Sequence, residues 1–193
     1  MNAGNRRRGR ESTLQILYQL EAEENATYEL TIENPRGDII KTQQLLSDVS
    51  LDMAQRAMAN YFDNFTYPEK VQTRIRTMVV GIIRHIASID GLIGQHSTKW
   101  RLDRMPLVDR NILRIAIYEI LHEPDISANV IINEAIEIAK RYGSEESSTF
   151  VNGVLDTVAA GQRAIDATGE GLVSEEHETS EAVDSGESFS DPS

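Results

Sequence analysis

Val71, Ile75, Met78, Ile82, Ile86, Ile89 and Ile93 follow one another in steps of four, three, four, four, three and four. That spacing keeps one side of a 3.6-residue helix apolar over many turns, whereas a strand would bury every second residue. A stripe of this length is stable only when other helices cover it. It commits the chain to a helical core before any other feature is considered.

The same period recurs on both sides. Leu14, Leu17 and Tyr18 mark a first helix over roughly Arg8 to Glu23. Residues 25–36, which run into Asn34-Pro35-Arg36-Gly37, read as a loop. Leu46, Val49, Met53 and Ala57 mark a second helix from about Asp38 to Asn60. Tyr67-Pro68-Glu69 then interrupts the chain and starts the striped helix, since proline suits a first turn. Pro106 precedes a helix over Leu107 to Leu121, which Glu123-Pro124-Asp125 ends. Another runs from about Ala128 to Tyr142 with Ile131, Ala135, Ile138 and Tyr142 inward. Gly143 is expected to cap it at φ > 0. Ser144 is the candidate N-cap of a last helix through Phe150, Val151, Val154, Leu155 and Val158. Gly153 inside that helix costs about 1 kcal/mol against alanine, which suggests a close approach of backbones.

No segment alternates as a strand. The expected fold is all-α: two packed three-helix bundles within residues 1–163, divided at about 6–97 and 98–163. Residues 164–193 are a tail of Ser, Glu, Gly and Asp with too few apolar groups to offset ordering entropy, and disorder is expected there.

Charge follows the same division. The net charge is −12, but nine acids and no Lys or Arg lie from Ala164 onward, so residues 1–163 carry −3. The acidic balance therefore belongs mostly to the tail and does not exclude an anionic partner. There are no cysteines, which excludes disulfides and thiolate-held metals. No apolar run approaches the roughly 18 residues of a membrane span, and the basic start lacks a signal peptide's apolar region. A cytoplasmic protein is expected.

Catalytic patterns are missing. His85, His96, His122 and His177 are scattered, with no HExxH pair, and no Gly-rich phosphate loop follows a strand. No nucleophile has a base in evident register. His85, beside the apolar stripe, is expected to pack or to face solvent. No enzyme activity, cofactor or metal is expected.

The positive signal is Arg6, Arg7, Arg8 and Arg10. Four guanidiniums at a helix start oppose the helix dipole, each at about 0.3–1 kcal/mol when exposed. Stability does not select such a cluster, whereas phosphate recognition does, through the planar donor fork of arginine. Basic amino-terminal arms commonly bind nucleic acid, although a solubilising end is the plain alternative. Tyr18 could stack an unpaired base or fill the core. Tyr142 to Phe150 adds a turn, hydroxyls and a second aromatic, and Phe150 could equally begin an apolar face.

Val108-Asp109-Arg110, Leu113-Arg114-Ile115-Ala116-Ile117-Tyr118-Glu119, Ile132-Asn133-Glu134-Ala135-Ile136-Glu137-Ile138-Ala139-Lys140, Tyr142-Gly143 and Phe150-Val151-Asn152-Gly153-Val154-Leu155-Asp156 appear in this order. With Arg6-Arg7-Arg8, Leu17-Tyr18 and Ile89-Asp90-Gly91-Leu92-Ile93, they make most of residues 6–160 resemble the NusB family of transcription antitermination factors. Residues 25–67 look longer than the family pattern, and the acidic tail looks like an addition.

The resemblance implies two three-helix bundles that bind boxA, a single-stranded element of ribosomal RNA leaders, together with ribosomal protein S10. Other Nus factors and RNA polymerase would complete the complex, which promotes ribosomal RNA transcription. Carried over by position, Arg6, Arg7, Arg8, Arg10, Tyr18, Glu146 and Phe150 are the expected RNA contacts, and Asp109 the expected S10 contact. Four neutralised phosphates would give a log K against log[salt] slope near −3. Self-association among relatives leaves a homodimer open.

Two alternatives stand beside this reading. One is a helical scaffold that binds proteins and ignores RNA. The other is an RNA-positioning domain similar to that of a ribosomal RNA methyltransferase, although no catalytic domain is expected after Ala164. Arg114, Asn133, Glu134 and Asn152 fit structural hydrogen bonding best. The acidic tail either folds back over the arginines as an electrostatic gate or only aids solubility.

Overall fold

The computed structural model describes residues 2–27, 43–97 and 101–168, and all regular structure among them is helical. Seven α-helices follow one another: α1 (Ala3–Thr27), α2 (Gln43–Asn64), α3 (Glu69–Arg84), α4 (Ile86–His96), α5 (Leu107–His122), α6 (Ala128–Tyr142) and α7 (Ser147–Thr168). A single 3-10 turn at Leu102–Arg104 leads into α5. Most of the expected 25–36 loop, the side chains of Leu46 and Val49, and the tail beyond Thr168 lie outside the described residues.

Helix α1 starts upstream of the expected Arg8. Asn2 initiates it: its Oδ1 accepts the Asn5 amide at 2.9 Å and its carbonyl accepts the Arg6 amide at 3.2 Å. An asparagine three residues before an amide it satisfies is an N-cap signal. All four arginines therefore sit on rigid helix.

The striped segment is two helices, not one. It bends by 73° between α3 and α4. The break falls at His85, with φ −106° and ψ 15°. His85 Nδ1 lies 2.8 Å from the Gly81 carbonyl, so the ring competes for a backbone acceptor of the preceding turn. The stripe is shared between two cores, and the change falls within α3, after Ile75. Val71, Ile75, Val79 and Ile83 join Ile16, Leu20, Ala54, Ala57, Met58 and Tyr61 in the smaller one. Met78, Ile82, Ile89 and Ile93 join Leu14, Leu17 and the apolar faces of α5, α6 and α7 in the larger. Each fully buried aliphatic side chain contributes about 1.5–3 kcal/mol. Helices α1–α3 thus form one bundle and α5–α7 the other, with α4 packed on the second. No single described helix is long and apolar enough to cross a membrane.

Helix α1 belongs to both bundles, because Leu14 and Leu17 face one core while Ile16 and Leu20 face the other. Charge pins it twice to α5. Near its start, Arg10 meets Glu119. Near its end, Glu21 accepts from Asn111 at 2.8 Å and Arg114 at 3.0 Å and pairs with Arg110. Arg114 also forks onto Asp90 of α4 with two 2.7 Å bonds. The structural reading of Arg114 and Glu134 holds: both tie helices together.

Three local expectations change. Gly143 has φ −93° and ψ −170°, not a left-handed cap. Glycine is needed there because a Cβ would stand 2.5 Å from the Ser147 side chain and 2.8 Å from the Ala139 carbonyl. Gly153 faces open space, so no backbone approaches it closely. Helix α7 continues to Thr168, five residues into the stretch expected to be tail.

Candidate nucleic-acid interface

One hundred degrees per residue sorts the α1 side chains. Arg10 shares its stripe with Leu14 and Leu17, which turns it inward. Arg7, Glu11 and Tyr18 share another stripe, which faces α6 at one end and solvent at the other. Arg8 and Gln15 lie next to it and point outward; both are exposed.

The inward turn removes Arg10 from the expected RNA contacts. It is 2% exposed, and its Nε donates to Glu119 Oε2 at 2.7 Å. Glu119 is itself 0% exposed and also pairs with Arg74, which holds Glu123 at 2.8 Å. Arg10 is a buried connector between α1 and α5 that no phosphate reaches. The signal was in the sequence: Arg10 precedes Leu14 by four residues and Leu17 by seven.

Arg7 is held and still available. Its Nε and Nη2 donate to the two carboxylate oxygens of Glu134 at 2.9 and 2.7 Å. The guanidinium of Arg7 holds the Glu134 carboxyl below the ordinary carboxylate range. Of the five N–H donors of an arginine, that fork uses two and leaves the rest toward solvent. Arg6 is half-buried and Arg8 is exposed.

One turn further, Glu11 accepts from Arg141 at 2.7 Å and also bonds the Tyr142 hydroxyl. The end of α6 is therefore docked against α1. Between the two helices runs an open groove of about 310 Å³ lined by Arg7, Glu11, Glu137, Ile138, Lys140 and Arg141. Lys140 and Arg141 were not among the expected contacts. As basic residues in a helix's last turn they read as dipole partners, and only the docking reveals what they face.

Docking α6 also places the next turn. Glu146 follows Tyr142 by four residues and is exposed, while Phe150 is half-buried on the larger core. The turn is closed by Ser147, whose Oγ accepts the Ser144 amide at 2.8 Å and lies 3.0 Å from the Ser144 hydroxyl. The expected N-cap role of Ser144 is thus reversed: the Ser147 side chain accepts the Ser144 amide, as the returning half of a capping box. Tyr18 is 45% exposed, which favours a surface role over the core.

Asp109 is not a surface contact. It is 4% exposed beneath the start of α7, where burial raises its carboxyl pKa and a hydrogen bond with Ser147 opposes that rise. It braces α5 against the α6–α7 turn and offers nothing to a protein outside. Among the described residues no group of three or more His, Cys, Asp or Glu is placed to hold a metal ion.

Of the expected RNA contacts, Arg6, Arg7, Arg8 and Tyr18 share helix α1, and Glu146 and Phe150 start the helix after the docked end of α6. A NusB family model matches residues 7–160. The transcription antitermination protein NusB of Myxococcus xanthus is 43% identical over 156 residues, spanning 81% of this chain and 95% of that one. Among solved structures, NusB of T. maritima is 37% identical and superposes with a TM-score of 0.58, covering 80% of this chain and 90% of that one. A complex of antitermination factors NusB and NusE with double-stranded RNA has a chain of the same fold, 21% identical, with a TM-score of 0.57 over 83% of this chain and 99% of that one.

Proposed function

The chain belongs to the NusB family, and on that premise we propose that it grips the boxA segment of ribosomal RNA leaders with the outward face of α1. It is a transcription antitermination factor. Its task is to hold one stretch of transcript beside ribosomal protein S10 while RNA polymerase continues through the operon, with other Nus factors completing the assembly in the cytoplasm.

One observation carries this reading. Arg6, Arg7 and Arg8 form a basic edge on rigid helix, and Arg7 is oriented by a two-point fork onto Glu134. A pre-oriented guanidinium binds phosphate without first losing rotamer freedom. The phosphates supply affinity, and Tyr18 with Phe150 supplies faces for unpaired bases. Glu146 offers a carboxylate to base amino groups at the same edge.

The test is a gel shift with a boxA-type oligonucleotide at two ionic strengths, with and without S10. Because Arg10 is buried, three phosphates rather than four are neutralised, and log K falls with log[salt] at a slope of about −2. S10 adds affinity. Salt-independent binding, or equal binding to a scrambled strand, rejects the assignment. Binding of S10 alone with no RNA contact selects the scaffold reading instead.

A further inference from the structure

The other flank of α1 carries an aromatic arrangement that the arginine edge does not use. The Tyr61 hydroxyl donates to Gln15 Oε1 at 2.6 Å and lies 3.2 Å from the Tyr67 hydroxyl, which accepts from Ser12 Oγ at 3.1 Å. Two rings from the end of α2 and the α2–α3 turn are thereby tied to α1. Tyr61 is buried, and burial pushes its phenol up to about 12, so it stays a neutral donor. Phe65 lies on Tyr61 with ring centroids 4.7 Å apart and 34° between planes, and is 50% exposed. Phe62 meets Tyr61 edge-on at 6.0 Å, and the Arg76 guanidinium sits 4.4 Å above its ring.

The position relative to the arginines makes this arrangement informative. Ser12 and Gln15 follow Arg8 by four and seven residues, so the points where the two tyrosines are anchored lie about 6–10 Å along the α1 axis from the exposed Arg8. A lone exposed aromatic needs no explanation. Phe65 differs because its partner ring is buried and hydrogen-bonded to the helix that carries the arginines, so its free face is held in register with them. Cation and bare π-face at fixed separation suit single-stranded nucleic acid, whose phosphates and unpaired bases alternate along the strand.

We propose that Phe65, backed by Tyr61, is a base-stacking platform that takes an unpaired nucleotide adjoining those held by the α1 arginines. The proposal rests on the RNA reading above and extends the transcript's track across α1, from the α6–α7 turn to the α2–α3 turn. The occupant is one unpaired base, held by stacking and not by readout of its edges.

The test compares the full chain with Phe65→Ala and Phe65→Trp, titrated with a boxA-type single strand. Phe65→Ala weakens binding about ten-fold, and Phe65→Trp restores it, because stacking is worth about 1–3 kcal/mol per base. The salt slope does not change, since no charge is lost. If Arg7→Ala and Arg8→Ala weaken RNA binding while Phe65→Ala does not, the platform is refuted and the RNA reading stands. If the unaltered chain fails to bind RNA, both fall. If Phe65→Ala spares RNA but weakens S10, the ledge is a protein contact and the proposal is overturned.

Discussion

Arg10 Nε lies 2.7 Å from Glu119 Oε2, across 109 residues of sequence and with both side chains out of water. That bond joins the helix carrying the arginines proposed to face RNA to the central helix of the second bundle. One arginine of the cluster thus sets the position of the others.

Removing one member of a buried pair costs about 3–5 kcal/mol when the other charge is left alone. After Arg10→Ala, Glu119 keeps Arg74, so the expected loss of unfolding free energy in denaturant titration is smaller, about 1–3 kcal/mol. A single-site loss below about 1 kcal/mol contradicts the burial of this pair.

Glu134 competes with phosphate for Arg7. Glu134→Gln keeps one oxygen acceptor to orient Arg7 and removes the competing charge, so RNA binding is expected to tighten several-fold at low salt, with the gain fading as ionic strength rises. The same carboxyl reports on stability. Its folded pKa lies below the unfolded value, so its contribution is present above the ordinary carboxylate range and disappears as pH falls through the depressed value. Wild type is the more stable protein at neutral pH, and the difference vanishes in strong acid. Weaker RNA binding by the glutamine variant, with its fold intact, contradicts the competition.

His122 lies between Tyr118 and His85, with ring centroids 4.8 and 4.5 Å away. Burial, then the neighbouring His85, lowers its pKa below the usual 6.5. The unfolded chain takes up this proton first, so stability falls as the solution is acidified below about pH 6.5. Comparing unfolding free energies at neutral and mildly acid pH shows the fall, and His122→Gln flattens it. An unchanged slope in the variant assigns the pH dependence elsewhere.

Gly143→Ala puts a methyl group 2.5 Å from Ser147 and 2.8 Å from the Ala139 carbonyl. The expected cost is about 1–3 kcal/mol, seen as a lower melting temperature. Because the turn sets Glu146 and Phe150, RNA affinity drops as well, while Gly153→Ala in open space leaves RNA affinity unchanged and raises the melting temperature, since alanine is the better helix former. A neutral Gly143→Ala shows that the turn relaxes freely.

Local periodicity made the helices legible. Apolar residues three and four apart announce a buried stripe wherever they occur, and α5 and α6 run almost as their spacing requires. The bend at His85 was not legible, because the apolar register continues unbroken through it. At the break the His85 ring and the His85 amide both meet the Gly81 carbonyl, a detail that apolar spacing does not carry. The start of α1 is legible in Asn2, which caps it.

The interface divides in the same way. Composition and spacing alone determined an all-helical chain with a basic amino end, since both depend on neighbours within a few residues. The fates of Arg10 and Asp109, and the facing of Lys140 and Arg141 toward α1, were decided only by tertiary structure. A charged side chain turns inward or outward according to the partner that compensates its desolvation. For Arg10 that partner is Glu119, brought within reach only when the two bundles close on α1.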